Sequence, residues 1–291
     1  MSRVINLLRM IKFSHSLFAL PFACAAFILY ADLSQKWYIT LMLVLAAMVS
    51  ARSAAMAFNR IVDRRIDAAN PRTSGREIPR GIVSIPFAAV FTVIMTAIFL
   101  LCAYLLNPLA FLLSPIALVM LFGYSYTKRF TPLSHFVLGA TLALAPPGVM
   151  VAITGSVDIR MIVLFTAVLC WVAGFDIIYS LADVAFDRKN KLHSLPADIG
   201  EKGAQAAALV CHAVFIILIF AYGVIMGLGV VYFCASAAIT LLLTYGYSTL
   251  IRSSYRDIDF FFFNVNAGVS ILYFAGVLAD KILPAFLQSV R

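Results

Sequence analysis

The stretch Trp37-Tyr-Ile-Thr-Leu-Met-Leu-Val-Leu-Ala-Ala-Met-Val-Ser-Ala-Arg52-Ser-Ala-Ala-Met-Ala-Phe58-Asn59-Arg-Ile-Val-Asp63-Arg-Arg-Ile-Asp67 decides the fold. From Trp37 to Phe58 it holds one charge, Arg52, and as a helix it is long enough to cross about 30 Å of hydrocarbon. Beyond that run, Asn59, Asp63 and Asp67 follow at steps of four. A step of four on an α-helix drifts only about 40°, so the three side chains line one face. A second apolar run ends the same way, in Asp176-Ile-Ile-Tyr179-Ser-Leu-Ala-Asp183-Val-Ala-Phe-Asp187. Asp63 to Asp183 is 120 positions, and so is Asp67 to Asp187. Two such faces brought together would make an acidic cage. Carboxylates near a bilayer are costly unless compensated, and a pair of hard divalent cations is the natural compensator.

Composition sets the class. Of 291 residues, 63 % are hydrophobic and only 12 % charged, against about 25 % charged in soluble domains. The chain is expected to be an all-α, polytopic membrane protein forming one domain over residues 1–291. Spans can be drawn at 13–31, 37–58, 84–106, 108–126, 134–154, 159–182, 204–224, 226–250 and 260–280, about nine helices arranged around a central cavity. Pro21 and the apolar run continuing to Tyr30 argue that the first span is an uncleaved helix and not a signal peptide. The five cysteines lie in apolar stretches without CxxC spacing, so neither a disulfide framework nor a zinc site is indicated.

Lysine and arginine sort to one side of these spans. Seventeen fall on the side of the N-terminus and of both acidic motifs, four (Lys36, Arg160, Lys281 and Arg291) on the other, and Arg52 lies inside a span. The imbalance places the N-terminus, the acids and their basic loops in the cytoplasm. The net charge of +9 is thus partly topological, and no nucleic-acid partner is needed to explain it.

Gly123-Tyr124-Ser125, followed by Arg129, recurs 123 residues later as Gly246-Tyr247-Ser248 followed by Arg252. With the acid repeat, this points to a parallel duplication, roughly residues 10–130 and 131–252. The longest polar stretches, 68–84 and 188–203, follow the two acidic motifs. Acids with Arg and Lys just beyond them suit a polyanion bridged through metal and held on its far side by cations, and diphosphate fits that description. No Walker-type P-loop or GxGxxG occurs.

For any single residue a plainer account exists. Acids and arginines at helix ends are usually interfacial caps, Tyr179 could belong to an aromatic belt, and His15, His135 and His212 read as packed histidines. Capping, however, requires neither a repeated four-residue spacing nor a second copy. Arg52 lies seven residues before Asn59 on the same face, about 10 Å deeper by helical rise. A buried arginine with no acid within a turn is a functional candidate, with pairing to Asp176 as the structural alternative.

The motifs N-R-x-x-D-x-x-x-D (from Asn59), N-P-R-T-x-x-R-x-I-P-x-G (from Asn70), Y-x-x-x-K-R (Tyr124 to Arg129) and D-x-x-Y-x-x-x-D-x-x-x-D (from Asp176) resemble the intramembrane aromatic prenyltransferases of the UbiA superfamily. The resemblance covers roughly residues 9–275 and points to the quinone-biosynthesis branch. It implies transfer of a polyprenyl group from a polyprenyl diphosphate to an aromatic acid, 4-hydroxybenzoate or 1,4-dihydroxy-6-naphthoate, in ubiquinone or menaquinone biosynthesis. The phrase from Asp176 to Pro196 leans toward the naphthoate enzymes. His193 stands where benzoate enzymes often have lysine, and Lys191 where glycine is common.

By the same resemblance, Asn59, Asp63 and Asp67 would hold one Mg²⁺, and Asp183 with Asp187 another. Arg72, Arg76, Lys128 and Arg129 would grip the diphosphate, with Lys12 from the first helix as a further contact. Arg52 and Tyr179 would meet the acceptor. The base that removes the ring proton is open between Asp176 and the released diphosphate. A bacterial inner membrane is the implied location, with lipid around the isoprenoid tail. Three other readings compete: haem or chlorophyll prenyl transfer within the superfamily, a secondary transporter, and a CDP-alcohol phosphotransferase. Transporters usually place their sites at the midplane on broken helices, and the phosphotransferase signature D-G-x-x-A-R is absent.

Overall fold

The computed structural model describes residues 3–11, 18–32 and 36–289, and the regular structure among them is helical. In chain order the helices are α1 (Arg3–Met10), α2 (Leu20–Tyr30), α3 (Trp37–Val62), α4 (Arg64–Ala69), α5 (Ile85–Leu106), α6 (Pro108–Thr127), α7 (Ser134–Ala143), α8 (Ala145–Thr154), α9 (Met161–Ser180), α10 (Val184–Lys189), α11 (Leu195–Asp198), α12 (Glu201–Ile225), α13 (Val230–Arg252), α14 (Ile258–Phe260) and α15 (Asn266–Ser289). Among the described residues, eight spans are long and apolar enough to cross a membrane, with α7–α8 and α9–α10 each forming one of them. α2 is a shorter apolar helix, and residues 13–17 of the expected first span lie outside the described residues. The chain is therefore a multi-pass membrane protein. Helices suit this setting because every interior backbone group is satisfied within its own segment. Val90, Val93, Leu112 and Val119 on α5 and α6 are exposed, as lipid-facing side chains should be.

Two expected spans differ in detail. The run 134–154 is interrupted at Leu144, because Pro146 and Pro147 lack the N–H groups that a continuous helix would use. The run expected from residue 226 begins as a helix only at Val230, since Gly227 takes φ 61° in the preceding turn.

The chain divides into two compact units, one of residues 1–16 and 33–127 and the other of residues 17–32 and 128–291. In the first, α3 packs along α5 and α6. Its buried stripe is Val44, Ala47, Ser50, Ser53, Ala54 and Ala57, and the small side chains let neighbouring backbones approach closely. Met10, Ile11, Ala57, Ile78, Val83 and Ala88 form one apolar cluster. Through it α1 and the loop after α4 are held against α3 and α5.

In the second unit α9 lies at the centre, packed against α7 and α12. Two glycines set these approaches. A Cβ at Gly139 would sit 2.5 Å from the Leu169 carbonyl oxygen, and one at Gly174 would sit 2.7 Å from the His212 ring. Trp171 Nε1 donates to Asn266 Oδ1 at 3.0 Å. The Asn266 amide donates in turn to the Phe261 and Phe262 carbonyls, both at 3.1 Å, closing the π-helical turn Phe261–Val265 that precedes α15. Asp280 of α15 caps α13 from a distance, accepting from Gly229 N at 2.7 Å and Tyr232 N at 3.3 Å. In the α8–α9 loop, Arg160 beside Asp158 lowers that carboxyl to about 2, and the Tyr30 hydroxyl donates to it at 3.0 Å.

Candidate active site

The first acidic motif does not lie on an unbroken helix. α3 ends at Val62, α4 starts at Arg64, and Asp63 between them has φ −89° and ψ 5°, in the sparsely allowed bridge region where many active-site residues sit. The four-residue spacing survives as backbone hydrogen bonds, Asp63 N to Asn59 O at 2.9 Å and Asp67 N to Asp63 O at 2.8 Å. The second motif breaks at the corresponding residue. α9 ends at Ser180, a 3₁₀ turn spans Leu181–Asp183, and Asp183 has φ −110° and ψ 2° before α10. Asp67 and Asp187 then lie buried in the short helices α4 and α10.

Within the first unit, Asn59 Nδ2 donates to Asp63 Oδ2 at 2.9 Å and to Ser125 Oγ at 3.4 Å, which leaves Asn59 Oδ1 for a cation. Arg76 Nη1 meets Asp67 Oδ1 at 2.6 Å. Asp67 Oδ2 is buried with no hydrogen-bond partner among the described residues. A buried carboxylate oxygen left in that state is costly, and a hard cation would satisfy it. No three His, Cys, Asp or Glu side chains among the described residues converge tightly enough to hold an ion alone. Mg²⁺ commonly binds through one or two carboxylates plus substrate phosphates, so the donors present fit that mode.

The loop after α4 is ordered by its own polar groups. Asn70 Oδ1 accepts from Arg72 N at 2.9 Å, and Thr73 Oγ1 donates to Asp67 O at 3.1 Å. Gly81 at φ 69° turns the chain, with Ile82 N bonded to Glu77 O at 2.9 Å, while Ile78 and Val83 anchor the loop in the apolar cluster. This arrangement brings Arg76 to Asp67 and leaves Arg72 exposed. Arg52 lies partly buried on α3. Arg60, one of the seventeen basic residues on the side of the acidic motifs, is 4 % exposed and donates Nε to Met10 O at 3.3 Å.

Within the second unit, Asp187 Oδ2 accepts from Ser194 Oγ at 2.9 Å, and the charge of Lys128 acts on the same carboxylate. The Lys128 carbonyl accepts from His193 N at 2.8 Å, tying the turn after α6 to the loop after α10. Arg129 beside it is partly buried. Asp176 Oδ2 lies 2.7 Å from His135 Nδ1, a partner that the sequence reading had passed over. Tyr179 stacks on Phe262, with ring centroids 4.1 Å apart, at the edge of a cluster with Phe18 and Phe175. Lys12 lies outside the described residues.

Comparison with known proteins bears on these motifs. The sequence model of the UbiA prenyltransferase family matches residues 19–268. Over 228 residues the chain is 32 % identical to a Neisseria gonorrhoeae protein named 4-hydroxybenzoate octaprenyltransferase, covering 78 % of this chain and 76 % of that one. The apo structure of a UbiA homolog from Aeropyrum pernix matches with a TM-score of 0.82 at 36 % identity, over 91 % of this chain and 98 % of that one. A UbiA homolog from Archaeoglobus fulgidus bound to GPP and Mg²⁺ shares the fold at a TM-score of 0.73 and 22 % identity, over 95 % and 99 % of the two chains.

Proposed function

The chain belongs to the UbiA prenyltransferase family, and from that premise we propose that it transfers a polyprenyl group from an allylic diphosphate to 4-hydroxybenzoate, in ubiquinone biosynthesis. One observation carries the reading to this chain's own residues. Asp63 and Asp183 each sit at a helix break, followed four residues later by a buried acid. Interfacial caps would require neither feature.

Asn59, Asp63 and Asp67 would hold one Mg²⁺, and Asp183 with Asp187 a second. When bound, the metal would neutralise charge on the diphosphate oxygens as the allylic C–O bond breaks. Arg76, reaching from its loop to Asp67, can bridge carboxylate and diphosphate, with Arg72, Lys128, Arg129 and Lys12 as further cations. The bonding pair leaves with the diphosphate. Tyr179, backed by Phe262, offers a π-face to the allylic cation, and the apolar surroundings exclude water that would quench it. Ring electrons of the acceptor then form the new C–C bond, and Asp176 takes the displaced ring proton. Arg52 would pair with the acceptor carboxylate.

The relatives' name places 4-hydroxybenzoate first among acceptors, and 1,4-dihydroxy-6-naphthoate is the second to test. The protein would lie in a bacterial inner membrane, with its N-terminus and basic loops cytoplasmic, as the distribution of Lys and Arg favours. The acidic and Gly-Tyr-Ser repeats are part of the same reading, as traces of a parallel duplication. The test is purified protein with geranyl or farnesyl diphosphate, Mg²⁺ and a panel of acceptors, with products identified by mass. Prenylated 4-hydroxybenzoate is expected. Diphosphate release with no prenylated acid would overturn the acceptor assignment, and no diphosphate release would overturn the whole reading.

A further inference from the structure

We infer that His135 is a positioning residue: it holds the Asp176 carboxylate for its reaction and ties it to Asp187 through a chain of hydrogen bonds joined by the Ser194–Leu195 backbone. The inference rests on the function proposed above, in which Asp176 takes the ring proton. The chain can be followed atom by atom. Asp187 Oδ2 accepts from Ser194 Oγ at 2.9 Å. The next residue, Leu195, points its backbone N–H at His135 Nε2, 3.3 Å away. His135 Nδ1 then lies 2.7 Å from Asp176 Oδ2. Ser194 and His135 are both fully buried.

The backbone decides the tautomer. A peptide N–H can only donate, so His135 Nε2 must accept, and the ring proton must sit on Nδ1. His135 therefore donates to Asp176. A ring protonated on both nitrogens would set Nε2–H against the Leu195 N–H. The donated bond occupies Oδ2 of Asp176 and fixes the rotamer, leaving Oδ1 as the oxygen that can take a proton. Simple filling of space would not require a donor at one end of the ring and an acceptor at the other.

Three substitutions at His135 separate these roles. His135→Phe keeps the bulk and removes both bonds. Asn places a donor near the Nδ1 position, so His135→Asn retains the bond to Asp176, whereas Gln reaches toward the Nε2 end, so His135→Gln retains the bond to Leu195. Loss of a hydrogen bond to a charged group is worth about tenfold to hundredfold. His135→Phe and His135→Gln should therefore lower kcat by that factor, with the KM of the isoprenoid diphosphate within about twofold of wild type. His135→Asn should recover most of kcat. Equal kcat in the Asn and Gln variants would overturn the inference, and that comparison decides even if the Phe variant fails to fold. A readout independent of turnover is ¹⁵N-histidine NMR, which should show His135 as the Nδ1–H tautomer in wild type and in Asp176→Asn, with the Nδ1–H resonance shifted in the variant because its charged acceptor is gone. An Nε2–H tautomer in wild type would also overturn it. Absence of prenyl transfer by the wild type would instead overturn the function, while the shift of the Nδ1–H resonance between wild type and Asp176→Asn would still report whether His135 holds Asp176.

Discussion

Arg76 Nη1 lies 2.6 Å from Asp67 Oδ1, while the second oxygen of that carboxylate is buried without a hydrogen-bond partner among the described residues. One oxygen is thus committed to a protein cation and the other is left to a ligand. Arg76→Ala should raise the KM of the isoprenoid diphosphate about tenfold to hundredfold, the worth of a charged hydrogen bond, and raise the Mg²⁺ concentration needed for half-maximal rate. The acceptor KM should stay near wild type. Steady-state kinetics at several Mg²⁺ concentrations check this, and an unchanged diphosphate KM would return Arg76 to a purely structural pairing.

The two helix-break acids lend themselves to a double-mutant comparison. Asp63→Asn and Asp183→Asn should each remove nearly all activity, and the double mutant should be little worse, because residues that act as a unit are non-additive. Single-turnover assays of the four proteins provide the measurement. Modest losses that simply multiply would show that the acids do not serve one diphosphate.

Arg52 tests the acceptor. Its guanidinium lies partly buried on α3, two turns before Asn59. Arg52→Ala should raise KM for 4-hydroxybenzoate by about tenfold to hundredfold, and for the isoprenoid diphosphate far less. It should also narrow the preference for the acid over its amide. If wild type fails to distinguish acid from amide, the role assigned to Arg52 is wrong.

Lys191 offers a prediction about stability alone. It stands at φ 54°, closing α10 through Leu192 N bonded to Asp187 O at 2.9 Å, a position where an L-residue is strained and glycine is not. Lys191→Gly should therefore stabilise the protein by about 1 kcal/mol, seen as a higher thermal midpoint in detergent. A lower midpoint would mean that the lysine side chain makes a contact worth more than the strain.

Much of the fold was legible from the sequence because its signals are local. Apolar runs of membrane length, a four-residue acid spacing and a Lys/Arg imbalance can all be read within one segment. The helix breaks at Asp63 and Asp183 were not legible, since neither segment contains proline or glycine at the break. His135 was missed for a different reason. Its partner Asp176 is 41 residues away and Leu195 is 60, and periodicity places a residue on a face without naming what covers it. The burial of Arg60 was not legible either, because it is one arginine among several, and only the three-dimensional structure shows it turned inward to Met10 O. Lys191 was noticed as a departure from the family's glycine, and the positive φ supplies the physical reason.

The cap that Asp280 places on α13 bears on how the chain can be engineered. A fusion appended after Arg291 leaves that carboxylate in place. A truncation before Asp280 would strip the start of α13 of two hydrogen bonds and cut α15 short in the same step. Far from being a tail that can be trimmed for crystallisation, α15 acts as a clasp, and a chain cut short before Asp280 should show a frayed start of α13 and a lower thermal midpoint.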